Sequence, residues 1–205
     1  MEKPDKKQEI LDAAMHCLAR YGMLKSTMDD IARVMGLKKA SLYYYYKNKE
    51  AIFTDAMERE AQRFHDVAFE RTKTQSTAAE KLMTTIKLYY EYFRDRAEWL
   101  ELNAQAMVDN HSLLQDIHKR NCKGNRDFLA HFIREGIDNN EFRTIDADHA
   151  ARVLHLALES QHLETYRQAA ENRENKLDYQ KLEKDSLFIL DIFINGLSNH
   201  KQDSK

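Results

Sequence analysis

Residues 27–50 read TMDDIARVMGLKKASLYYYYKNKE. The spacing predicts two short helices joined by a tight turn, then the start of a third. Thr27 opens the first, with a hydroxyl that can cap free backbone N–H groups. Asp29 and Asp30 fall in its first turn, where negative charge suits the helix dipole. Ile31, Ala32 and Met35 supply an apolar face at helical spacing. Gly36 then suits a left-handed stop. Leu37 can pack back while residues 38–45 form a second helix of about two turns. Helix, glycine turn, helix is the helix-turn-helix pattern, whose second helix enters the major groove of DNA.

The composition of that second helix points the same way. Lys38 and Lys39 stand at its start, the end that reaches base edges. Ala40 is small and allows close approach. Ser41, Tyr43, Tyr44 and Tyr45 carry hydroxyl donors that suit phosphate oxygens. Lys47 and Lys49 flank the next helix start, where cation and helix N-terminus together favour a phosphate. Tyr46 is expected to point inward. The candidate DNA-binding residues are therefore Thr27, Lys38, Lys39, Ala40, Ser41, Tyr43, Tyr44, Tyr45 and Lys49.

Over roughly residues 8–57 the chain resembles the TetR-type (tetracycline-repressor-like) transcriptional regulators. Ile10, Leu11, Ala13, Ala14, Leu18 and Gly22 match that family's first helix and its terminating glycine. Thr27, Ile31, Ala32, Gly36 and Leu37 match its second helix and turn. Leu42, Tyr43, Tyr46, Lys49, Glu50 and Ile52 match the segment that closes the motif. Ala40, Tyr45, Tyr46 and Lys38 depart mildly from the residues usual there. The resemblance implies an all-α fold: a three-helix head carrying the helix-turn-helix, and a helical ligand-binding and dimerisation body, about nine helices in all. It also implies a homodimer, a palindromic double-stranded operator and a small-molecule effector.

The charge balance fits a basic head on an acidic body. The net charge is −2 over 205 residues, but residues 1–50 carry ten Lys/Arg against seven Asp/Glu, a net +3. Attraction for nucleic acid is thus concentrated at one end. Five glycines and one proline favour long uninterrupted helices. Cys17 and Cys122 are too few for a disulfide framework. Cys17 reads as a buried small hydrophobe of the first helix. No apolar run approaches the ~20 residues needed to span a bilayer, and MEKPDKKQE is no signal segment. A reduced, cytoplasmic setting is expected, with no membrane partner.

Along the chain, the first helix is expected over about 7–21, with Ile10, Leu11, Ala14, Met15 and Leu18 inward. A long fourth helix is expected over about 48–71, marked by Ile52, Phe53, Ala56, Met57, Phe64 and Val67. No flexible linker separates residues 1–50, the expected DNA-binding domain, from residues 51–205, the expected ligand-binding and dimerisation domain. A fifth helix is expected over about 78–96, a short one over about 99–107, and one over about 112–139 with a bend near Gly124. Asn139 and Asn140 are expected to end the latter by the left-handed route. The last two helices are expected over about 147–172 and 179–199. Apolar residues stand on more than one face of each: Leu156 and Leu163 beside Leu154 and Leu158, Phe188 and Phe193 beside Leu190. That width favours burial on two sides over closing the chain's own core alone, and the resemblance implies that the second side packs against a copy of the chain.

The resemblance implies a ligand pocket in the body, and Tyr89, Tyr90, Phe93, Trp99, Met107, Phe128 and Phe132 are its expected apolar lining. Gln161 and His162 are candidate polar contacts. Plain core packing is the alternative for each of them. His111, His118 and Cys122 lack the further ligands that a metal site needs. They also lack the orienting group and oxyanion donors of a nucleophilic enzyme. The isolated glycines exclude a phosphate-binding loop. No cofactor and no enzymatic activity is expected. The sequence reads as a ligand-responsive DNA-binding regulator, a repressor released by an apolar or amphipathic molecule. The alternative is an architectural or partner-binding DNA-binding protein without a small-molecule ligand.

Overall fold

A computed structural model describes residues 5–99, 115–172 and 177–199. Eight α-helices occupy them: α1 (Lys6–Lys25), α2 (Met28–Val34), α3 (Lys39–Tyr43), α4 (Lys49–Thr72), α5 (Ala78–Trp99), α6 (Gln115–Asp138), α7 (Ala147–Glu171) and α8 (Tyr179–Leu197). The described residues contain no strand, only an isolated bridge between Phe142 and Ser198. The helix expected over 99–107 lies outside the described residues, as do Met107, His111 and Leu114. The side chains of Phe93, Trp99, Ile117, His118 and Cys122 also lie outside them.

Each helix of the head ends where its residues dictate. Asp5 caps α1, its carboxylate accepting from the Lys7 amide at 3.0 Å. Gly22 takes φ 72° and breaks the helical path, yet helical turns resume to Lys25, four residues beyond the expected end. The Ser26 hydroxyl donates to the carbonyls of Cys17 and Gly22 there, satisfying groups that a helix end leaves open. Ile10, Leu11, Ala14 and Leu18 of α1 meet Met28, Ile31 and Ala32 of α2. Leu42, Tyr46 and the α4 residues Ile52, Phe53 and Ala56 close this first core. That core therefore reaches past residue 50. Cys17 is fully buried within it, and burial pushes its thiol up to about 11.

α4 is one unbroken helix of 24 residues, capped by Asn48. Its first turns belong to the first core; farther on it packs against α5 and α6. Its inner face there is Phe64, Ala68 and Thr72. Val67, expected on that face, is exposed, because the helix turns Ala68 inward instead.

The second core is built from α5 to α8 around Leu82, Ile133, Leu154, Leu182 and Leu190. α6 runs without a break through Gly124 and ends at Asp138, and Asn140 takes φ 58°. The reversal lets the amides of Glu141 and Phe142 return to the Gly136 carbonyl at 2.8 and 2.9 Å. The three residues after Asn140 then tie distant ends together. The Glu141 carboxylate caps α5 through the amides of Ala78 and Ala79 at 2.7 and 2.8 Å. The Phe142 ring fills the space where a side chain at residue 136 would stand. Arg143 donates from its amide to Leu197 and from its guanidinium to Gly196, fixing the end of α8.

Candidate nucleic-acid interface and effector region

Both ends of α2 are closed by hydrogen bonds. Thr27 and Asp30 form a reciprocal capping box at the start of α2. The Thr27 hydrogen bond holds the Asp30 carboxyl below its ordinary range. At the far end Gly36 has φ 65°. Its amide donates to Arg33 at 3.1 Å, and the Leu37 amide donates to Ala32 at 2.9 Å. That pair of bonds is the Schellman ending, which needs a left-handed residue at the glycine position.

The turn delivers α3 with one side down and the rest in solvent. Leu42 is wholly buried and Tyr46 is only 6% exposed. The Tyr46 hydroxyl donates to Asp55 at 3.0 Å, and the Lys7 ammonium lies 5.4 Å from its ring centroid. Burial, reinforced by Asp55, pushes that hydroxyl's pKa up. Lys38, Lys39, Ala40, Ser41, Tyr43, Tyr44 and Tyr45 are all exposed, Tyr44 to 86%. α3 itself is five residues long, shorter than the two turns expected over 38–45. A turn follows Tyr43, in which the amides of Tyr45 and Tyr46 both donate to the Leu42 carbonyl at 2.9 Å.

Three of the candidate side chains are already engaged. The Lys39 ammonium pairs with Asp29 at 2.8 Å, and this hydrogen bond raises its pKa. The Lys49 ammonium donates to the carbonyls of Met23 and Ser26 at 3.1 and 2.9 Å. The sequence suggested a phosphate contact for Lys49; the structure finds its ammonium closing the end of α1 against the start of α4. Thr27 likewise uses its hydroxyl in the capping box. What stands free over α3 is a set of neutral hydroxyls with the Lys38 cation at its start. That chemistry suits phosphate oxygens and base edges.

In the body, the expected lining residues divide. Tyr90 is buried, and its hydroxyl shares hydrogen bonds with the His162 imidazole and with Ser186, the latter at 2.5 Å. Ser186 also donates to the Gln161 side-chain carbonyl at 3.2 Å. Burial drives the imidazole down to about 4, with His155 as a second cause, so His162 is neutral near pH 7. Burial also pushes the Tyr90 and Tyr166 hydroxyls up. Tyr89 stacks on His162 at 6.1 Å between centroids and meets Phe64 edge-on at 5.7 Å. Phe128 stacks on His65 at 4.9 Å and meets Phe132 edge-on at 5.1 Å. Phe132 is buried in the second core.

Tyr89, Tyr90, Gln161 and His162 thus gather at one junction of α5, α7 and α8, while Phe128 and Phe132 form a second group on α6. Sequence reading passed over Ser186 and His65, and placed Phe64 only on the apolar face of α4. Ser186 had a signal: it replaces an apolar residue midway between Leu182 and Leu190, a core register. Among the described residues no His/Cys/Asp/Glu cluster could hold a metal ion.

The outer surface of the last two helices carries Val153 and Leu156 on α7 and Phe188 and Ile192 on α8, all exposed. Leu154, Leu158, Leu190 and Ile194 face the second core. Each helix is therefore apolar on two sides. Phe193, expected outward, is partly buried against the core. Ile192 takes the outward place one turn from Phe188. No described helix is long and apolar enough to cross a membrane.

Comparison with known proteins agrees with this geometry. Residues 10–56 match the family described as bacterial regulatory proteins, tetR family. The chain is 28% identical over 143 residues to the fatty acid metabolism regulator protein of Bacillus subtilis, spanning 69% of this chain and 73% of that protein. It is 42% identical over 52 residues to the biofilm operon icaADBC HTH-type negative transcriptional regulator IcaR of Staphylococcus epidermidis, spanning 25% and 28% of the two chains. A crystal structure of the transcriptional regulator FadR from Bacillus subtilis in complex with stearoyl-CoA shares the fold. Its TM-score is 0.65 at 23% identity, covering 94% of this chain and 100% of that one.

Proposed function

We propose, for a chain that belongs to the tetR family of bacterial regulatory proteins, that it is a dimeric repressor released from its operator by an apolar or amphipathic effector. The observation that carries the DNA-binding part is the seating of α3. Leu42 and Tyr46 anchor it, and Lys38, Lys39, Ser41, Tyr43, Tyr44 and Tyr45 stand exposed around it. Lys38 and Lys39 reach base edges, and the hydroxyls hold phosphates. Thr27 and Lys49 act as struts that fix the angle of α3. The functional division lies within α4, near residue 50 by the first reading and a turn or two later by the extent of the first core.

The exposed faces of α7 and α8 join two copies. A dimer sets two α3 helices about 34–36 Å apart, the spacing of successive major grooves, and explains a palindromic operator. The effector sits among the body aromatics Tyr89, Tyr90, Phe128 and Phe132; Phe93, Trp99 and Met107, which the sequence assigns to the same lining, lie outside the described side chains. Gln161 and His162 supply its polar contacts. A neutral imidazole and tyrosine hydroxyls suit an apolar chain with an uncharged polar group. The fatty-acid regulator relative and the stearoyl-CoA complex of the FadR structure support a long-chain acyl compound. The negative regulator IcaR supports repression. A cytoplasmic setting follows from the DNA target.

The effector can weaken DNA binding only by as much as it prefers the non-binding state, typically about 1–3 kcal/mol. Titration of the duplex selected from a random pool, and of unselected DNA, at several salt concentrations tests the reading. Lys39→Ala lowers the selected-to-unselected ratio, by about 1–3 kcal/mol for a bidentate base contact. Tyr43→Phe weakens both duplexes with little change in salt slope. A wild-type protein that binds neither duplex ends the proposal. Leu156→Glu and Phe188→Glu produce monomers by sedimentation and lose selected-duplex binding together. Unchanged sedimentation of both would remove α7 and α8 as the dimer surface.

A further inference from the structure

We propose that Tyr92, Glu60, Arg59 and Asp12 form a polar relay through which α5 of the body governs how firmly α1 of the head is held. The inference rests on the reading of the chain as an effector-responsive DNA-binding protein, and it names the side chains that would carry the response.

The relay crosses α4 at two consecutive residues. On the body side the Tyr92 hydroxyl donates to Glu60 Oε2 at 2.8 Å. On the head side Arg59 Nη2 donates to Asp12 Oδ1 at 2.7 Å. Arg59 Nη1 reaches both the carbonyl and the side-chain oxygen of Gln8 at 3.2 and 3.0 Å. Between these ends, Glu60 Oε1 lies 3.6 Å from Arg59 Nη2 and 2.8 Å from Arg63 Nη1. The side chains of Arg59 and Glu60 are each only 12% exposed, while Asp12 is 65% exposed. Low exposure strengthens the interaction of the two charges on α4 and makes their partners matter.

The geometry describes a competition. Arg59 Nη2 stands between two carboxylates, bonded closely to Asp12 and loosely to Glu60. Tyr92 restrains Glu60 by holding Oε2. If α5 shifts and withdraws the hydroxyl, Glu60 can turn and draw Arg59 from Asp12 and Gln8. The first turns of α1 then lose their tie to α4. The buried Arg59 Nε has no hydrogen-bond partner among the described residues, so the present seating does not exhaust the guanidinium's donors.

Tyr92 is also placed to sense the effector region. Its ring packs on Phe64 at 5.7 Å, and Tyr89, stacked on His162, packs on the same Phe64 at 5.7 Å. A ligand that repacks Tyr89 therefore has a path of touching rings to Tyr92. An unbroken α4 alone would transmit rigid tilt; the relay adds a side-chain exchange that acts on α1 separately.

Amide hydrogen exchange on the full chain tests this without effector or DNA. Tyr92→Phe keeps the ring against Phe64 and removes the hydroxyl. It should speed exchange in residues 8–15 of α1 by about threefold or more, the low end of coupling within one network. Glu60→Gln weakens the pull on Arg59, so Tyr92→Phe in that background should leave α1 within about 1.5-fold of Glu60→Gln alone. The exposed Asp12→Asn reads the relay in reverse and should change exchange around Tyr92 by a similar factor. Wild-type α1 exchange in Tyr92→Phe, or an undiminished effect in the double variant, overturns the relay. If Tyr92→Phe does not fold, Asp12→Asn alone decides. A parallel titration of random-sequence duplex separates the two ideas: no binding by the wild type overturns the functional reading, while the exchange result judges the relay.

Discussion

The first core and the second core solve the same packing problem differently. In the head, the ends of α1 and α2 are closed by local groups: Thr27 with Asp30, the left-handed Gly36, Ser26, and Lys49 across to Met23. Its core is almost wholly apolar. The body buries a polar junction of Tyr90, His162, Ser186 and Gln161, and leaves Phe188 and Ile192 in solvent. A unit that must present one helix at one angle gains from local over-specification. Under the proposed function, a unit that answers a ligand and meets a second copy would keep polar groups inside and apolar groups outside.

That contrast can be broken most forcefully at two phenylalanines. Phe53 is fully buried and Phe188 is 66% exposed. Phe53→Ala should cost about 3–5 kcal/mol in guanidinium unfolding, the range for a lost core aromatic. Phe188→Ala should cost under about 0.5 kcal/mol within the chain while weakening self-association. Equal losses from the two would mean that Phe188 has a folding role inside its own chain.

A smaller effect belongs to the body alone. His162 has a folded pKa near 4 against an ordinary 6.5. Between those values the unfolded chain binds the proton and the folded chain does not, so stability falls as pH drops from about 6.5 to about 4. The loss is at most about 3 kcal/mol. His162→Gln should flatten that part of the stability curve, measured by urea unfolding at several pH values. A curve unchanged by the substitution would place the acid sensitivity elsewhere.

Gly36→Ala sharpens the head side of the comparison. Nothing lies within 4 Å of a side-chain carbon there, so the cost is backbone strain at φ 65°. About 1–2 kcal/mol is expected. DNA affinity should fall by more than the stability loss explains, because α3 changes angle. A variant that loses stability but keeps full duplex affinity would show that the turn serves folding only.

The local chemistry of the head was largely legible in the chain. Capping threonine, stopping glycine and inward Tyr46 are decided by neighbours within a few residues, and one sequence window contains them. The engagement of the Lys49 ammonium was not legible, because its acceptors, Met23 and Ser26, are more than twenty residues away. The same distance hid the Glu141 cap on α5 and the pairing of Ser186 with Tyr90. Periodicity found the body helices and their double apolar faces. It could not choose between Val67 and Ala68, since one step in helix phase reverses which faces in. Asn140, by contrast, announced its turn because asparagine tolerates the left-handed region.

Cys17 gives the head a clock. Its thiol is buried in α1 and raised to about 11, so it is held in the unreactive protonated form at pH 7. A soluble alkylating reagent can reach it only when the first core opens. In a Cys122→Ser background, the labelling rate would count those openings directly. Comparing that rate with and without bound DNA would show whether the duplex grips a rigid head or quiets a breathing one.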